Sequence, residues 1–176
     1  MEYIIRKIKS DEYIVLEDFL YEAIFIPQGI SAPPKEIIYK PELQVYIADF
    51  GKRKGDIGLV AEVNNKIIGA VWVRIMNDYG HIDNETPSFA ISLYKEYRNY
   101  GIGTAMMKEM LNVLNQAGYK QASLAVQKEN YAVKMYKNVG FEVIDENEEE
   151  YIMLYKVCYE VPLCQFADCT KNSHKI

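Results

Sequence analysis

The segment Arg98-Asn99-Tyr100-Gly101-Ile102-Gly103-Thr104 sets an arginine and two glycines between a β-prone run and an amphipathic helical run. That combination suits phosphate chemistry. The first turn of a helix leaves backbone N–H groups unpaired, and the helix dipole adds partial positive charge there. Glycines let a diphosphate approach that backbone closely, and Arg98 can add charge from the loop. A dinucleotide fingerprint would want a third glycine where Met106 stands and an acidic residue near Gln121 and Ala122. A Walker A loop would end in Gly-Lys-Ser/Thr, which is absent. An ordinary strand-to-helix turn is the other reading of the glycines alone.

A second segment, Asn130-Tyr131-Ala132-Val133-Lys134-Met135-Tyr136-Lys137-Asn138-Val139-Gly140-Phe141, follows at a short distance. With it the pattern resembles the GNAT superfamily of N-acetyltransferases. Arg-x-x-Gly-x-Gly between strand and helix is similar to the family's acyl-CoA signature. The second segment is similar to its Asn-x-x-Ala/Val-x-x-x-Tyr-x-x-x-Gly-Phe stretch. The resemblance covers roughly residues 3 to 157, and Phe19 to Phe25 is similar to the opening helix of one bacterial subgroup.

The resemblance implies acetyl-CoA as co-substrate and direct acetyl transfer to a primary amine in a ternary complex. Ile91, Ser92 and Leu93 would offer backbone groups to the pantetheine, and one N–H to an oxyanion. Arg98, Asn99, Tyr100, Gly101, Ile102, Gly103 and Thr104 would hold the diphosphate, with Asn130 and Tyr136 completing the coenzyme site. Tyr136 would donate the proton taken by the departing thiolate. A phenol pKa of about 10 keeps that proton in place near neutrality yet allows its release. Among fifteen tyrosines, packing is the competing role.

The base is less clear. Many family members carry a carboxylate at the start of the fourth strand, and Ser88 stands there after Thr86-Pro87. Glu85 is the expected base, with Asp83, Glu22 and His81 as alternatives, and proton loss to solvent as a route needing none. The missing carboxylate also keeps open a non-catalytic acyl-CoA-binding or regulatory module on the same scaffold. The amine itself is set by loops such as Pro27 to Lys40 and Asp78 to Pro87.

The elements that must position these groups follow from periodicity. Tyr3 to Ile8 is β-prone, Ser10-Asp11 offers an N-cap, and Leu16, Phe19, Leu20, Ala23 and Ile24 recur at helical spacing. Pro27 to Pro34 reads as a loop, and Pro41 opens a helix to about Phe50. Ile57 to Val63 and Ile67 to Ile75 form a hairpin across Asn64-Asn65-Lys66. Ser88 to Tyr94 is a strand, then a helix runs from Gly101 to Gln116 with Ile102, Ala105, Met106, Met110, Val113 and Leu114 as its apolar stripe. Ala122 to Val126, Asn130 to Asn138, Phe141 to Ile144 and Tyr151 to Val157 read strand, helix, strand, strand, with Asp145 to Glu150 as an acidic turn. The fold class is therefore α/β (α+β) with a mixed sheet flanked by helices. The resemblance adds a mostly antiparallel order and a splayed centre. Residues 1–157 are expected to form the acetyltransferase domain, and 158–176, which lose periodicity and carry Pro162, a partly ordered or mobile tail.

The chain of 176 residues, 49% hydrophobic, can bury a core without staples. A net charge of -5 gives no basic field for nucleic acid or an anionic membrane, and mildly favours cationic substrates. No apolar run approaches about 20 residues, and the N-terminus has no signal pattern, so a cytoplasmic location is expected. Cys158, Cys164, Cys169 and His174 do not match a tight zinc spacing, and no metal is expected. Expected partners are a small-molecule or peptide amine and, as an open option, a second copy in a homodimer.

Overall fold

The structure, a computed structural model, describes residues 1–157. The cysteine-containing segment 158–176 lies outside the described residues. Seven strands form one open sheet: β1 (Ile4–Lys7), β2 (Ile57–Val63), β3 (Lys66–Arg74), β4 (Ser88–Leu93), β5 (Gln121–Gln127), β6 (Glu142–Glu146) and β7 (Glu150–Lys156), in the spatial order β1-β2-β3-β4-β5-β7-β6. Every neighbouring pair is antiparallel except β4 and β5. Those two are parallel and share a single register pair, Ser88 opposite Ser123, so the sheet parts at its centre towards Leu93 and Gln127. The expected splay is present.

The helices are α1 (Val15–Ala23), α2 (Pro41–Gln44), α3 (Ile102–Gln116) and α4 (Ala132–Asn138). Because side chains alternate along an extended strand, β4 feeds two cores. Phe89 and Leu93 join Met106, Met107, Met110 and Leu114 of α3, and Tyr136 and Phe141, on one face. Ala90 packs on the other face with Phe19 and Leu20 of α1 and Trp72 of β3.

Local physics explains where the elements begin and stop. Asn64 and Asn65 take φ of 50° and 63°, the left-handed pair a two-residue hairpin turn requires, and Lys66 already belongs to β3. The first helix starts at Val15 rather than beside Ser10, because Glu12 accepts the Lys9 N–H at 2.9 Å and both ends of the Arg6 guanidinium, at 2.7 and 2.8 Å. The helix expected to reach Phe50 stops at Gln44. Beyond it the Tyr46 carbonyl accepts Trp72 Nε1 at 3.1 Å, and the Val45 and Ala48 carbonyls accept Arg74 Nη1 at 3.0 and 2.9 Å. Those carbonyls turn towards the sheet, and the chain reverses at Asp49 with φ 54°.

On α3 the buried face also includes Met107 and Leu111, wider than the expected stripe, while Ala105 and Val113 are half-buried. β6 runs through Asp145 and Glu146, so the acidic turn is confined to residues 147–149.

Candidate active site

A cleft of about 1010 Å³ opens where β4 and β5 part. Ile91, Ser92 and Leu93 form its strand wall, Gly101, Gly103 and Thr104 its mouth at the start of α3, and Asn130, Met135 and Tyr136 its far side. Tyr21 to Gln28, at the end of α1 and beyond, face it across the gap.

The mouth is built for a close approach of backbone. Asn99 and Gly101 have φ of 67° and 78°, and this pair of left-handed turns brings the chain into α3 with its first N–H groups free of helical partners. A Cβ on Gly103 would lie 3.3 Å from Met135 Sδ and 3.4 Å from Leu93 Cδ1, so a side chain there must push these two cleft-lining neighbours aside. Lys95 and Lys134 also line the cleft, and neither has an ion-pair partner among the described residues. The sequence reading passed over both lysines. Their signal was their place, one just before and one well after the glycine loop.

Arg98 lines the cleft with its guanidinium engaged within the protein. Its Nε donates to the Leu93 carbonyl at 2.9 Å, and its Nη2 to the Glu22 carbonyl at 3.3 Å and to Glu22 Oε2 at 2.7 Å. The guanidinium thus ties the loop before α3 to α1, and Glu22, one of the candidate bases, is engaged in holding it.

Tyr136 lies on α4 with its ring against Phe141, centroids 6.2 Å apart, and is 9% exposed. Burial pushes its phenol well above the usual tyrosine range, so the proton stays on at neutral pH. No hydrogen bond to its hydroxyl occurs among the described residues. No fully enclosed side-chain nitrogen or oxygen is left unpaired among the described residues, so this hydroxyl sits at the cleft wall.

Several expected residues lie off the cleft or have their side chains engaged within the protein. Tyr100 points to solvent, 62% exposed, and the Ile102 side chain is buried at 1% in the core under α3, so each can serve the cleft through backbone only. The Ser92 hydroxyl donates to the Phe19 carbonyl at 2.6 Å and fastens β4 to α1. Asn130 Oδ1 accepts the Ala132 N–H at 2.9 Å, starting α4. Glu85 is exposed and lines a separate cleft of about 550 Å³ with Lys54, Tyr119 and Gln121. The structure does not bring Glu85 to Tyr136: Glu85 lines this second cleft, with Thr86 and Gln121, and Tyr136 lines the first. Asp83 lies beside it, and His81 Nδ1 donates to the Met76 carbonyl at 2.9 Å.

Ser88 is buried at 1% exposure and donates to Asp78 Oδ1 at 2.9 Å, while the Tyr46 hydroxyl donates to Asp78 Oδ2 at 3.1 Å. A carboxylate therefore does stand beside the start of β4, brought there from the loop after β3.

The family model of the acetyltransferase (GNAT) family matches residues 24–141, which take in the strand wall, the glycine mouth and α4. The chain belongs to the GNAT acetyltransferase family. It is 33% identical over 101 residues to the probable N-acetyltransferase san of Drosophila melanogaster, covering 55% of this chain and 53% of that one. It is 26% identical over 129 residues to the [ribosomal protein bS18]-alanine N-acetyltransferase of Haemophilus influenzae, covering 69% and 84%. The first of these matches thus spans about half the relative's length. Among solved structures, the PaiA N-acetyltransferase of Thermoplasma acidophilum in complex with coenzyme A superposes with a TM-score of 0.67 at 20% identity, covering 89% of this chain and all of that one. The yncA putative acetyltransferase of Salmonella typhimurium with its cofactor acetyl-CoA gives 0.62 at 12%, covering 90% and 96%. These two likenesses show the GNAT fold.

Proposed function

We propose that the chain transfers acetyl from acetyl-CoA to a primary amine by direct attack within a ternary complex. The observation that carries this reading is the Tyr136 hydroxyl, without a hydrogen-bond partner among the described residues, on the same cleft as the Gly101–Gly103 mouth. The residues present fit the coenzyme: a glycine wall and free helix N–H groups for the diphosphate, Lys95 and Lys134 for its charge, and a parted strand edge at Ile91 to Leu93 for the pantetheine amides.

In this reading the backbone N–H groups of Ile91 and Leu93, which face the gap because Tyr94 N–H and its alternate neighbours face β3, orient the thioester and bind its oxygen as negative charge develops. The amine nitrogen forms a bond to the carbonyl carbon and gives up its surplus proton, the carbon–sulfur bond breaks, the thiolate takes the Tyr136 proton, and the phenolate regains one from solvent. No covalent acyl-enzyme is needed. Among acceptors, peptide N-termini join small amines as candidates, because relatives are described as N-alpha-acetyltransferase 50 and as acting on a ribosomal-protein alanine.

Calorimetry with acetyl-CoA, together with thiol release on a panel of polyamines, aminoglycosides, amino acids and peptides, tests the proposal. Binding with amine-dependent release is expected. Tight binding with no release on any amine would identify a coenzyme-binding module instead.

A further inference from the structure

β4 and β5 touch at Ser88 and Ser123 and part beyond, so this pair marks the closed apex of the splay. The Ser92 hydroxyl leaves β4 on the α1 face, and by the two-residue period Ser88 shares that face, opposite the α3 core that takes Phe89 and Leu93. Tyr136 belongs to the α3 side. The two faces of the splay thus present different chemistry.

On the α1 face at the apex, Asp78 is held by neutral donors alone, Ser88 Oγ at 2.9 Å and the Tyr46 hydroxyl at 3.1 Å. Ser123 Oγ lies 3.3 Å from Ser88 Oγ and donates its own proton to the Gly80 carbonyl at 2.6 Å. Both serine protons are thereby committed, so the arrangement fixes Asp78 as an acceptor on both oxygens.

No lysine or arginine pairs with Asp78 among the described residues. Arg74, a few residues upstream, is committed to Asp56 and to the Val45 and Ala48 carbonyls. The contrast with Asp56 is informative. A carboxylate kept for structure is neutralised by a guanidinium, whereas Asp78 is oriented without being neutralised. Burial raises its affinity for a proton, and the hydrogen bonds from Ser88, Tyr46 and the Gly80 N–H offset this only in part. Besides these donors, Glu150 of β7 and Tyr79 are the titratable groups felt at Tyr46.

We propose that Asp78 accepts the proton of the attacking amine, with Tyr46 and Ser88 as its positioning residues. This role rests on the transferase reading above. Ser88 precedes Ile91 by three residues, about 10 Å along an extended strand, too far for one nitrogen to meet both the thioester carbon and Asp78, so the amine at the thioester reaches Asp78 through one bridging water. As the carbon–nitrogen bond forms, the surplus N–H proton passes through that water to Asp78. The carbon–sulfur bond then breaks, and the sulfur takes its proton from Tyr136. Asp78 loses its proton to solvent and the Tyr136 phenolate regains one. The proton leaving nitrogen and the proton reaching sulfur therefore travel on opposite faces of the sheet.

The test is the pH profile of kcat/KM for an amine that the wild type acetylates, compared with that of Asp78→Asn. The variant should bind acetyl-CoA as the wild type does, lose at least about tenfold in kcat/KM, and lose the acidic limb of the profile. Asp78→Glu should recover part of both. Tyr46→Phe and Ser88→Ala, followed by thermal melting, should stay folded and shift the limb to a different pH. Wild-type rate and an unchanged limb in Asp78→Asn would overturn the proposal. Should that variant fail to fold, an unshifted limb in both positioning variants would overturn it equally. A wild type that binds acetyl-CoA and acetylates no amine would reject the transferase reading, and this role with it.

Discussion

Arg98 Nη2 donates to Glu22 Oε2 at 2.7 Å, joining the loop before α3 to the last turn of α1 across the mouth of the cleft. Three acceptors, the Leu93 and Glu22 carbonyls and the Glu22 carboxylate, share one planar fork. A lysine cannot reach all three in that geometry. Arg98→Lys is therefore expected to weaken acetyl-CoA binding about tenfold, or about 1.4 kcal/mol, by loosening the mouth while the charge is kept. Calorimetry checks this, and unchanged affinity would show that the clamp is irrelevant to the coenzyme.

Gly103→Val should weaken acetyl-CoA at least about tenfold while the fold survives. A Cβ there already lies 3.3 Å from Met135 Sδ and 3.4 Å from Leu93 Cδ1, so the larger valine must displace both cleft-lining side chains beside the proposed diphosphate site. Circular dichroism with calorimetry separates this outcome from unfolding.

Tyr136→Phe keeps the ring against Phe141 and removes only the hydroxyl. The expected result is a fall in the single-turnover rate of roughly 10- to 1000-fold, about 1.4 to 4 kcal/mol, with acetyl-CoA affinity little changed. A wild-type single-turnover rate would make Tyr136 a packing residue.

Asp56 and Arg74 form an ion pair with side chains 1% and 0% exposed. Burial alone would raise the Asp56 pKa, but the Arg74 hydrogen bonds and charge, with the Gly51 and Arg53 N–H groups, bring it below the usual value. A depressed folded value means that this stabilisation is complete above the unfolded carboxyl pKa, about 3.9, and is lost as pH falls through the folded value. Asp56→Asn leaves Arg74 buried without its partner and should cost about 3–5 kcal/mol at neutral pH. Urea denaturation at several pH values should also show a shallower acid loss in the variant.

The fold and the cleft beside the glycine loop were legible because their signals are local. The glycines at 101 and 103 and the segment 130–141 each place their chemistry within one turn or one short helix, and the strand alternation of β4 separates the two cores. The setting of Asp78 was not legible. Asp78 owes its setting to Tyr46, 32 residues before it, and to Ser88, 10 residues after it. Nothing in the spacing of those three residues announces that they meet. Glu85 lines the second cleft for the converse reason: nearness to Ser88 in sequence does not carry it round the end of the strand. The early stop of α2 has the same origin, since Trp72 and Arg74 draw its following carbonyls from another element.

The central claim is direct transfer of acetyl from coenzyme to amine in this cleft, and mass spectrometry with isotopically labelled acetyl-CoA tests it most directly. With an accepted amine present, labelled acetyl-amine and free coenzyme A should appear in equal amounts. Without the amine, the mass of the protein should stay unchanged and the coenzyme acetylated. Coenzyme release accompanied by a labelled acetyl-enzyme, or bound acetyl-CoA that yields no acetyl-amine with any acceptor tried, would contradict it.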